Sequence, residues 1–337
     1  MTKILITGTA GFIGYHLANA LLRQGHDVHG FDGMTDYYDV SLKQERHRML
    51  GAHDRFFRTE AMLEDMEALA SAANTFKPDV IVHLAAQAGV RYSLENPRAY
   101  IDSNIVGTFN VMEIARQHGV AHLLMASTSS DYGANQVMPY AETHKSDHQL
   151  TIYAATKKAN EVMAHSYAHL WNLPTTMFRF FTVYGPWGRP DMAYFKFTQN
   201  IRDGVPIGIF NHGDMFRDFT YVDDLVRAIA LLIETPPVRP PSAAQVAVGD
   251  SLSPVAPHRV VNIGNSDKVR LLDFVEAIED ALGQKAIRNY MDIQPGDVQA
   301  TWANADLLKS LTGYAPQTDV KEGVQQFVDW YLSYYGK

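Results

Sequence analysis

Gly8, Gly11 and Gly14 stand at three-residue spacing between an apolar run, residues 4–7, and an amphipathic stretch, residues 12–24. A strand that turns tightly into a helix needs small residues at the turn. The turn leaves the helix N-terminus, with its unpaired N–H groups and positive dipole end, open to a pyrophosphate. Glycine spacing alone also suits a βα turn with no ligand, so its context matters. Asp32 closes the next candidate strand, residues 27–31. A carboxylate there accepts hydrogen bonds from adenosine ribose hydroxyls and repels a 2′-phosphate. The expectation is a dinucleotide site for NAD rather than NADP.

Further candidate strands fall at residues 79–84 and 122–127, rich in Ile, Val and Leu, and at residues 175–180, with helical patterns at 62–74, 98–118 and 152–171. Strands buried on both faces and alternating with helices form a parallel, doubly wound sheet. The second half is less regular. Helices are predicted at 194–203, 223–233, 271–282 and 321–335, and residues 236–258, rich in Pro, Ala and Ser, read as a surface loop. The fold class is therefore α/β. It is a Rossmann-type doubly wound parallel sheet in residues 1–182, to which some later segments return, with a smaller α/β substrate lobe built mainly from residues 183–337.

A chain of 337 residues is long enough for such a two-part core. Its net charge of −8 argues against general nucleic-acid or anionic-membrane binding but permits a local basic site for an anionic ligand. The absence of cysteine removes disulfides, thiolate metal sites and a cysteine nucleophile. No apolar run reaches the roughly 18 residues of a membrane span. Residues 1–14 read as a strand entering a glycine turn rather than a secretion signal, so a cytoplasmic enzyme is expected.

Tyr153 and Lys157 form YxxxK at the start of the helix predicted at 152–171, and i, i+4 spacing puts both on one face. A lysine ammonium beside a phenol, like a nearby nicotinamide cation, lowers the phenol's pKa and makes tyrosine usable as a base. Thr128, Ser129 and Ser130 follow the strand predicted at 122–127, at the C-terminal edge where parallel sheets gather their chemistry. A hydroxyl there can share a proton with Tyr153.

With the glycine turn, these residues resemble the extended short-chain dehydrogenase/reductase family, the nucleotide-sugar epimerases and dehydratases, along residues 1–335. Within it, residues 36–40 (DYYDV), 87–93 (QAGVRYS), 182–192 (TVYGPWGRPDM), 217–220 (RDFT) and 294–298 (QPGDV) are most similar to the UDP-glucuronate 4-epimerases. The resemblance implies that NAD is held by Gly8, Gly11, Phe12, Ile13, Gly14, Asp32, Lys43, Leu63, Leu84, Ala85, Ala86, Tyr153 and Lys157. It implies catalysis by Thr128, Tyr153 and Lys157, the first two on the sugar 4-hydroxyl and the lysine on the nicotinamide ribose. The UDP-sugar would be held by Arg91, Ser129, Ser130, Thr182, Arg189, Arg217 and Asp297, with Arg217 on the diphosphate. A homodimer through the helices predicted at 98–118 and 152–171 is also implied. No metal site is expected. His165 and His169 have the spacing of a metal pair but lack a carboxylate partner, and read as helix-surface residues. Met62 departs from the family, standing where many relatives have an aspartate at the adenine.

The implied reaction is reversible inversion of UDP-glucuronic acid to UDP-galacturonic acid through a 4-keto sugar. Dehydratase relatives place an Asp–Glu pair directly after the threonine, and decarboxylase relatives a glutamate at the second position. Here Ser129 and Ser130 occupy those places, and serine cannot replace a carboxylate in that acid–base role. A 4-keto uronic acid loses CO₂ most readily when its carboxylate bond stands perpendicular to the carbonyl plane. Thr128, Ser129, Ser130 and Thr182 are expected to hold the carboxylate away from that geometry, with Arg189 nearby to read its charge. Asp131 stands where most relatives have valine. An extended backbone would turn it away from Ser130 and the sugar, to bond locally. The alternatives are a 4-epimerase of another UDP-sugar (UDP-glucose or an N-acetylhexosamine), a UDP-glucuronate decarboxylase, and a non-catalytic NAD sensor. The last would have no chemical use for Thr128, Tyr153 and Lys157.

Overall fold

The computed structural model describes residues 1–293 and 298–336. Seven strands form one sheet: β1 (Lys3–Thr7), β2 (Asp27–Asp32), β3 (Phe56–Glu60), β4 (Val80–His83), β5 (His122–Ala126), β6 (Thr175–Phe180) and β7 (His258–Ile263). Their spatial order is β3-β2-β1-β4-β5-β6-β7, every pairing parallel. The chain winds outward from β1 to β3, then returns to β4 on the other side. That reversal opens a crevice beyond the C-terminal ends of β1 and β4, where a doubly wound sheet receives its ligand.

The main helices are α1 (Phe12–Arg23), α2 (Val40–Leu50), α3 (Met66–Phe76), α4 (Thr108–His118), α5 (Ile152–Trp171), α6 (Ala193–Arg202), α7 (Val222–Ile233), α8 (Leu271–Leu282) and α9 (Val320–Tyr335). One apolar cluster, including Leu17, Leu21, Ile229 and Leu232, packs α1 and α7 on one sheet face. Another, including Leu69, Met112, Ile114 and Ala164, packs α3, α4 and α5 on the other. A third joins α6, α8 and α9 with short strands of the second lobe and is rich in rings: Tyr184, Phe195, Phe219, Phe274, Phe327 and Tyr331. Trp187 bridges the parts, touching Tyr15 of α1 and Trp330 and Tyr334 of α9.

Sequence patterning misses β3, β7 and α2 for physical reasons. β3 is an edge strand with no buried residue, so nothing enforces an apolar run. In β7 the polar His258, Arg259 and Asn262 break the apolar pattern. α2 buries Lys43, Arg46 and His47 beside Leu42 and Leu50, so its buried face is largely polar. The helix predicted at 98–118 is a composite: Pro97–Tyr100, a π-helical segment Ile101–Gly107, and α4. Asn104 sits within the π segment, its side chain accepting from Gln87 N at 2.8 Å and donating to Gln87 O at 3.0 Å.

Residues 236–257 form a connecting segment with one 3-10 turn, Ala243–Gln245, and His258 already belongs to β7. It is pinned rather than loose. Arg259 grips Asp250 with two bonds, His165 Nε2 lies 2.8 Å from Ser253 Oγ, and His169 Nδ1 lies 3.0 Å from Val255 O. His165 and His169 thus clasp this segment, where the sequence suggested plain surface residues. Among the described residues no helix is long and apolar enough to cross a membrane.

Candidate active site

The glycine turn closes the crevice from below. Gly8 adopts φ +85°, and a Cβ there would lie 2.8 Å from Ala85 N; one on Gly14 would lie 2.0 Å from Gly8 O. Glycine therefore lets the turn press against the end of β4 and lets α1 start directly above it. Gly11 is the N-cap of α1 and provides no side-chain cap, so the first-turn N–H groups, those of Phe12 and Ile13 included, suit an anion. Leu84, Ala85 and Ala86 leave β4 opposite, and Thr7 Oγ1 accepts the Ala85 N–H at 3.1 Å. Asp32 ends β2 beside them, its carboxylate accepting from Ala10 N and Met34 N, each at 2.9 Å. Lys43 Nζ donates to Thr35 O and Thr35 Oγ1; burial lowers its pKa, against the opposing charge of Asp32. Leu63 is buried under the π segment, where a Cβ on Gly107 would lie 2.5 Å from the leucine Cβ. Backbone donors for a pyrophosphate and a carboxylate for a ribose make a donor set that fits a dinucleotide.

Arg46, a residue the sequence did not single out, ties this turn to the second lobe. Fully buried, it donates to Ala10 O (2.8 Å) in the glycine turn and to Trp187 O (2.6 Å) and Gly188 O (3.2 Å). Its role was hidden because α2 was.

Thr128 leaves β5 with extended backbone and caps a 3-10 turn, Ser129–Tyr132, through its Oγ1 bond from Ser130 N (3.2 Å). This corrects the expected extended backbone at Asp131 but keeps its local bonding: the turn, not strand alternation, buries Asp131, and its carboxyl lies 3.1 Å from Ser127 Oγ. Across from it, Thr151 caps α5, putting Tyr153 in the first turn and Lys157 one turn on. The Thr128 hydroxyl stands near enough to Tyr153 to draw its phenol down, and Lys157 Nζ donates to Ala126 O at 2.9 Å. The expected lowering of the phenol is also corrected. Burial pushes Tyr153 up, while the nearby Thr128 hydroxyl and the Arg189 charge pull it down and the Asp131 charge adds to the rise. Burial takes Lys157 down to about 8, with the Asp131 charge opposing. Spacing places the two groups together, but the low-dielectric surroundings set the sign.

The substrate candidates lie around this centre. Ser129 and Ser130 line a cavity of about 60 Å³ with Val90, Tyr140, Leu150 and Thr301. A larger cavity, about 680 Å³, opens between α2 and β3 and is lined by none of the motif residues. Thr182 opens the strand Thr182–Tyr184, and its N–H bonds Asp218 O at 3.0 Å. Arg189 makes a two-bond pair with Asp191 (3.0 and 2.6 Å), which also accepts from Tyr37 Oη at 3.3 Å. Arg217 donates to Phe216 O and Gln299 O. Arg91 lies 4.8 Å over the Phe210 ring, joining the two lobes. Asp297 lies outside the described residues.

Asp218 connects several of these pieces. Its buried carboxylate accepts from Asn265 N (2.7 Å), Ser266 N (2.9 Å), Ala303 N (3.1 Å) and Thr220 Oγ1 (3.1 Å), and burial raises it to about 6. Asp191 and Asp218 both fall inside the sequence motifs. For Asp218 no local signal was available, since the backbone partners lie 47 to 85 residues away.

The NAD dependent epimerase/dehydratase family matches residues 4–248. The chain belongs to that family. A probable UDP-glucuronate 4-epimerase of Rhizobium meliloti is 56% identical over 329 residues, 98% of this chain and 96% of that protein. Within the same fold, a UDP-glucuronic acid 4-epimerase from Bacillus cereus, solved with UDP-glucuronic acid and NAD, has a TM-score of 0.88 at 30% identity, covering 99% of this chain and 100% of that one. A UDP-glucose 4-epimerase from Thermotoga maritima, solved with UDP-glucose, reaches 0.86 at 27% identity over 99% of each chain. The family resemblance is borne out. Fold alone does not separate charged from neutral sugars, so that choice rests on side chains.

Proposed function

We propose that this epimerase inverts C4 of UDP-glucuronic acid, reversibly, to UDP-galacturonic acid. The observation that carries the reading is the gathering of Thr128, Tyr153 and Lys157 at the end of β5, with Thr128 followed by two serines instead of carboxylates. Bound NAD supplies the acceptor that takes hydride from C4 and returns it to the other face, and a positive ring that favours the Tyr153 phenolate. Tyr153 takes the C4 hydroxyl proton, with Thr128 orienting that hydroxyl, and returns it after inversion. Lys157 binds the nicotinamide ribose and adds positive charge beside the phenol. Gly8, Gly11, Phe12, Ile13 and Gly14 receive the pyrophosphate. Asp32 holds the adenosine ribose, and Lys43, Leu63, Leu84, Ala85 and Ala86 line its crevice. Arg217 anchors the UDP diphosphate, and Arg91 and Asp297 complete the UDP-sugar site. Ser129, Ser130, Thr182 and Arg189 hold the uronic carboxylate. Residues 1–182 with the returning segments bind NAD, and residues 183–337 mainly the UDP-sugar.

A homodimer fits one further observation. Ile101, Val106 and Phe109 stand exposed on the π segment and α4, and Ile152, Val162 and Leu170 on the neighbouring α5. These residues make an apolar face that a second copy of the chain would cover. Phe109→Glu should then shift the dimer to monomer in analytical ultracentrifugation; an unshifted sedimentation coefficient counts against this face.

The test of function is incubation with UDP-glucuronic acid, with and without added NAD⁺, followed by NMR. Growth of UDP-galacturonic acid to a stable mixture supports the reading. Conversion of UDP-glucose or UDP-N-acetylglucosamine in preference would replace the substrate, and UDP-pentose as main product would replace the reaction.

A further inference from the structure

Behind the Thr128 turn lies a buried cluster that the proposed reaction does not use. Asp131 is fully buried. Its Oδ2 lies 3.1 Å from Ser127 Oγ, and the same Ser127 Oγ lies 2.7 Å from Glu161 Oε1. Asp131 Oδ1 is buried with no hydrogen-bond partner. Glu161, by contrast, is amply satisfied: Arg179 gives it two bonds, at 2.8 and 2.7 Å, and Lys158 Nζ a third at 3.2 Å.

Proton counting decides the state of this cluster. A serine hydroxyl carries one proton and cannot donate to two carboxylates at once. The shorter contact directs the Ser127 proton to Glu161, where Arg179 and Lys158 stabilise the anion. The 3.1 Å contact then requires a proton on Asp131, donated to the Ser127 oxygen. An ionised Asp131 would leave one buried anionic oxygen wholly unpaired, the costlier arrangement. The neutral acid leaves only a carbonyl oxygen there.

We propose that Asp131 is a positioning residue held as a neutral carboxylic acid, the first donor of a chain running from Asp131 through Ser127 to the Glu161 carboxylate. The groups that face it fit this assignment: Ser127 from β5, Tyr132 on its own turn, Glu161, Lys157, Lys158 and Tyr153 from α5, and Arg179 from β6. Burial and the Glu161 charge both raise the Asp131 carboxyl, against the pull of Arg179 and Lys158. One consequence rests on the proposed epimerase reading. A negative Asp131 would sit behind Thr128, oppose proton loss from Tyr153 and draw on the Lys157 charge; a neutral one leaves both to the substrate.

The experiment compares the full chain with Asp131→Asn, which keeps the shape, stays neutral and can donate to Ser127. Infrared difference spectra at pH 7 should show a protonated carboxylic-acid band in the wild type that the variant lacks; a carboxylate band alone would overturn the proposal. Urea denaturation gives the second readout. A raised native carboxyl makes the wild type lose folding equilibrium constant, relative to D131N, by up to tenfold per pH unit above its unfolded value, hence roughly a hundredfold between pH 5 and 7. A constant ratio over that range would overturn it. Neither readout needs turnover, so failure of the epimerase reading and failure of this one are told apart. If turnover is measured, the alkaline limb of kcat/KM should move to higher pH in D131N; an unmoved limb rejects the link to Tyr153.

Discussion

Gly14→Ala puts the packing of the glycine turn to a quantitative test. The new Cβ would lie 2.0 Å from Gly8 O, where ordinary contact begins at 3.4 Å, so backbone must retreat by about 1.4 Å. Neither side gives easily. Gly8 N is bonded to Phe31 O at 2.7 Å, and Gly11 N to Gly8 O at 3.0 Å, so the clash lies between two pinned pieces of main chain. Overpacking of this kind costs about 1–3 kcal/mol, and rigid backbone on both sides points to about 3. Moving the start of α1 by that distance stretches any N–H bond to a pyrophosphate past useful length. Loss of one such bond to a charged group is worth about 1.5–3 kcal/mol, or roughly 10- to 100-fold in NAD affinity. The control is Gly25→Ala, which has the same φ of +85° but nothing within 4 Å. It should cost only the backbone strain, about 1–2 kcal/mol, and leave NAD binding alone. Urea denaturation and calorimetric NAD titration read both quantities. If Gly14→Ala behaves like Gly25→Ala in each, the argument that α1 must close on Gly8 is wrong.

Other changes read other parts of the molecule. Arg179→Met removes the two-bond partner of buried Glu161 and should cost about 3–5 kcal/mol in urea denaturation, part of it recovered by adding Glu161→Leu; a loss under about 1 kcal/mol would show that the pair is not truly desolvated. Glu142 is buried with Oε1 accepting from Asn262 N, and burial raises it from 4.5 to about 7. Its neutral form therefore contributes stability that is full below pH 4.5 and lost as pH rises through 7, so Glu142→Gln should gain on the wild type by about 3 kcal/mol between pH 4.5 and 8. A pH-independent difference would refute that shift. Thr182→Ala should raise CO₂ release relative to epimerisation, followed as UDP-pentose against UDP-galacturonic acid by NMR; an unchanged ratio would reject a role in holding the carboxylate.

The five strands foreseen in sequence are all present; β1, β4 and β5 show as apolar runs because both their faces are buried, while β2 and β6 carry buried polar residues such as His29 and Arg179 and are placed by the strand–helix alternation. β3 escaped because an exposed edge strand needs no apolar run, and α2 because its buried face is made of Lys43, Arg46 and His47. The site divides similarly. The glycine turn, Asp32, Thr128, Tyr153 and Lys157 lie where a βα turn or one helical turn fixes their relation, so spacing suffices. Residues whose partners come from distant segments carried no such signal: Arg46 joining Ala10 to Trp187, and Asp218 joining Asn265 to Ala303.

By itself, then, the sequence determined the fold class, through local periodicity, while its motifs carried the family resemblance and the candidate reactive groups. Only the tertiary structure decided their electrostatic state and aim. Tyr153 is raised rather than lowered, because burial outweighs the opposing influences. Asp131 points inward because Thr128 caps a 3-10 turn instead of continuing a strand. Both outcomes depend on which distant groups exclude water from a side chain and which stand beside it. Spacing along the chain does not encode that proximity; packing creates it.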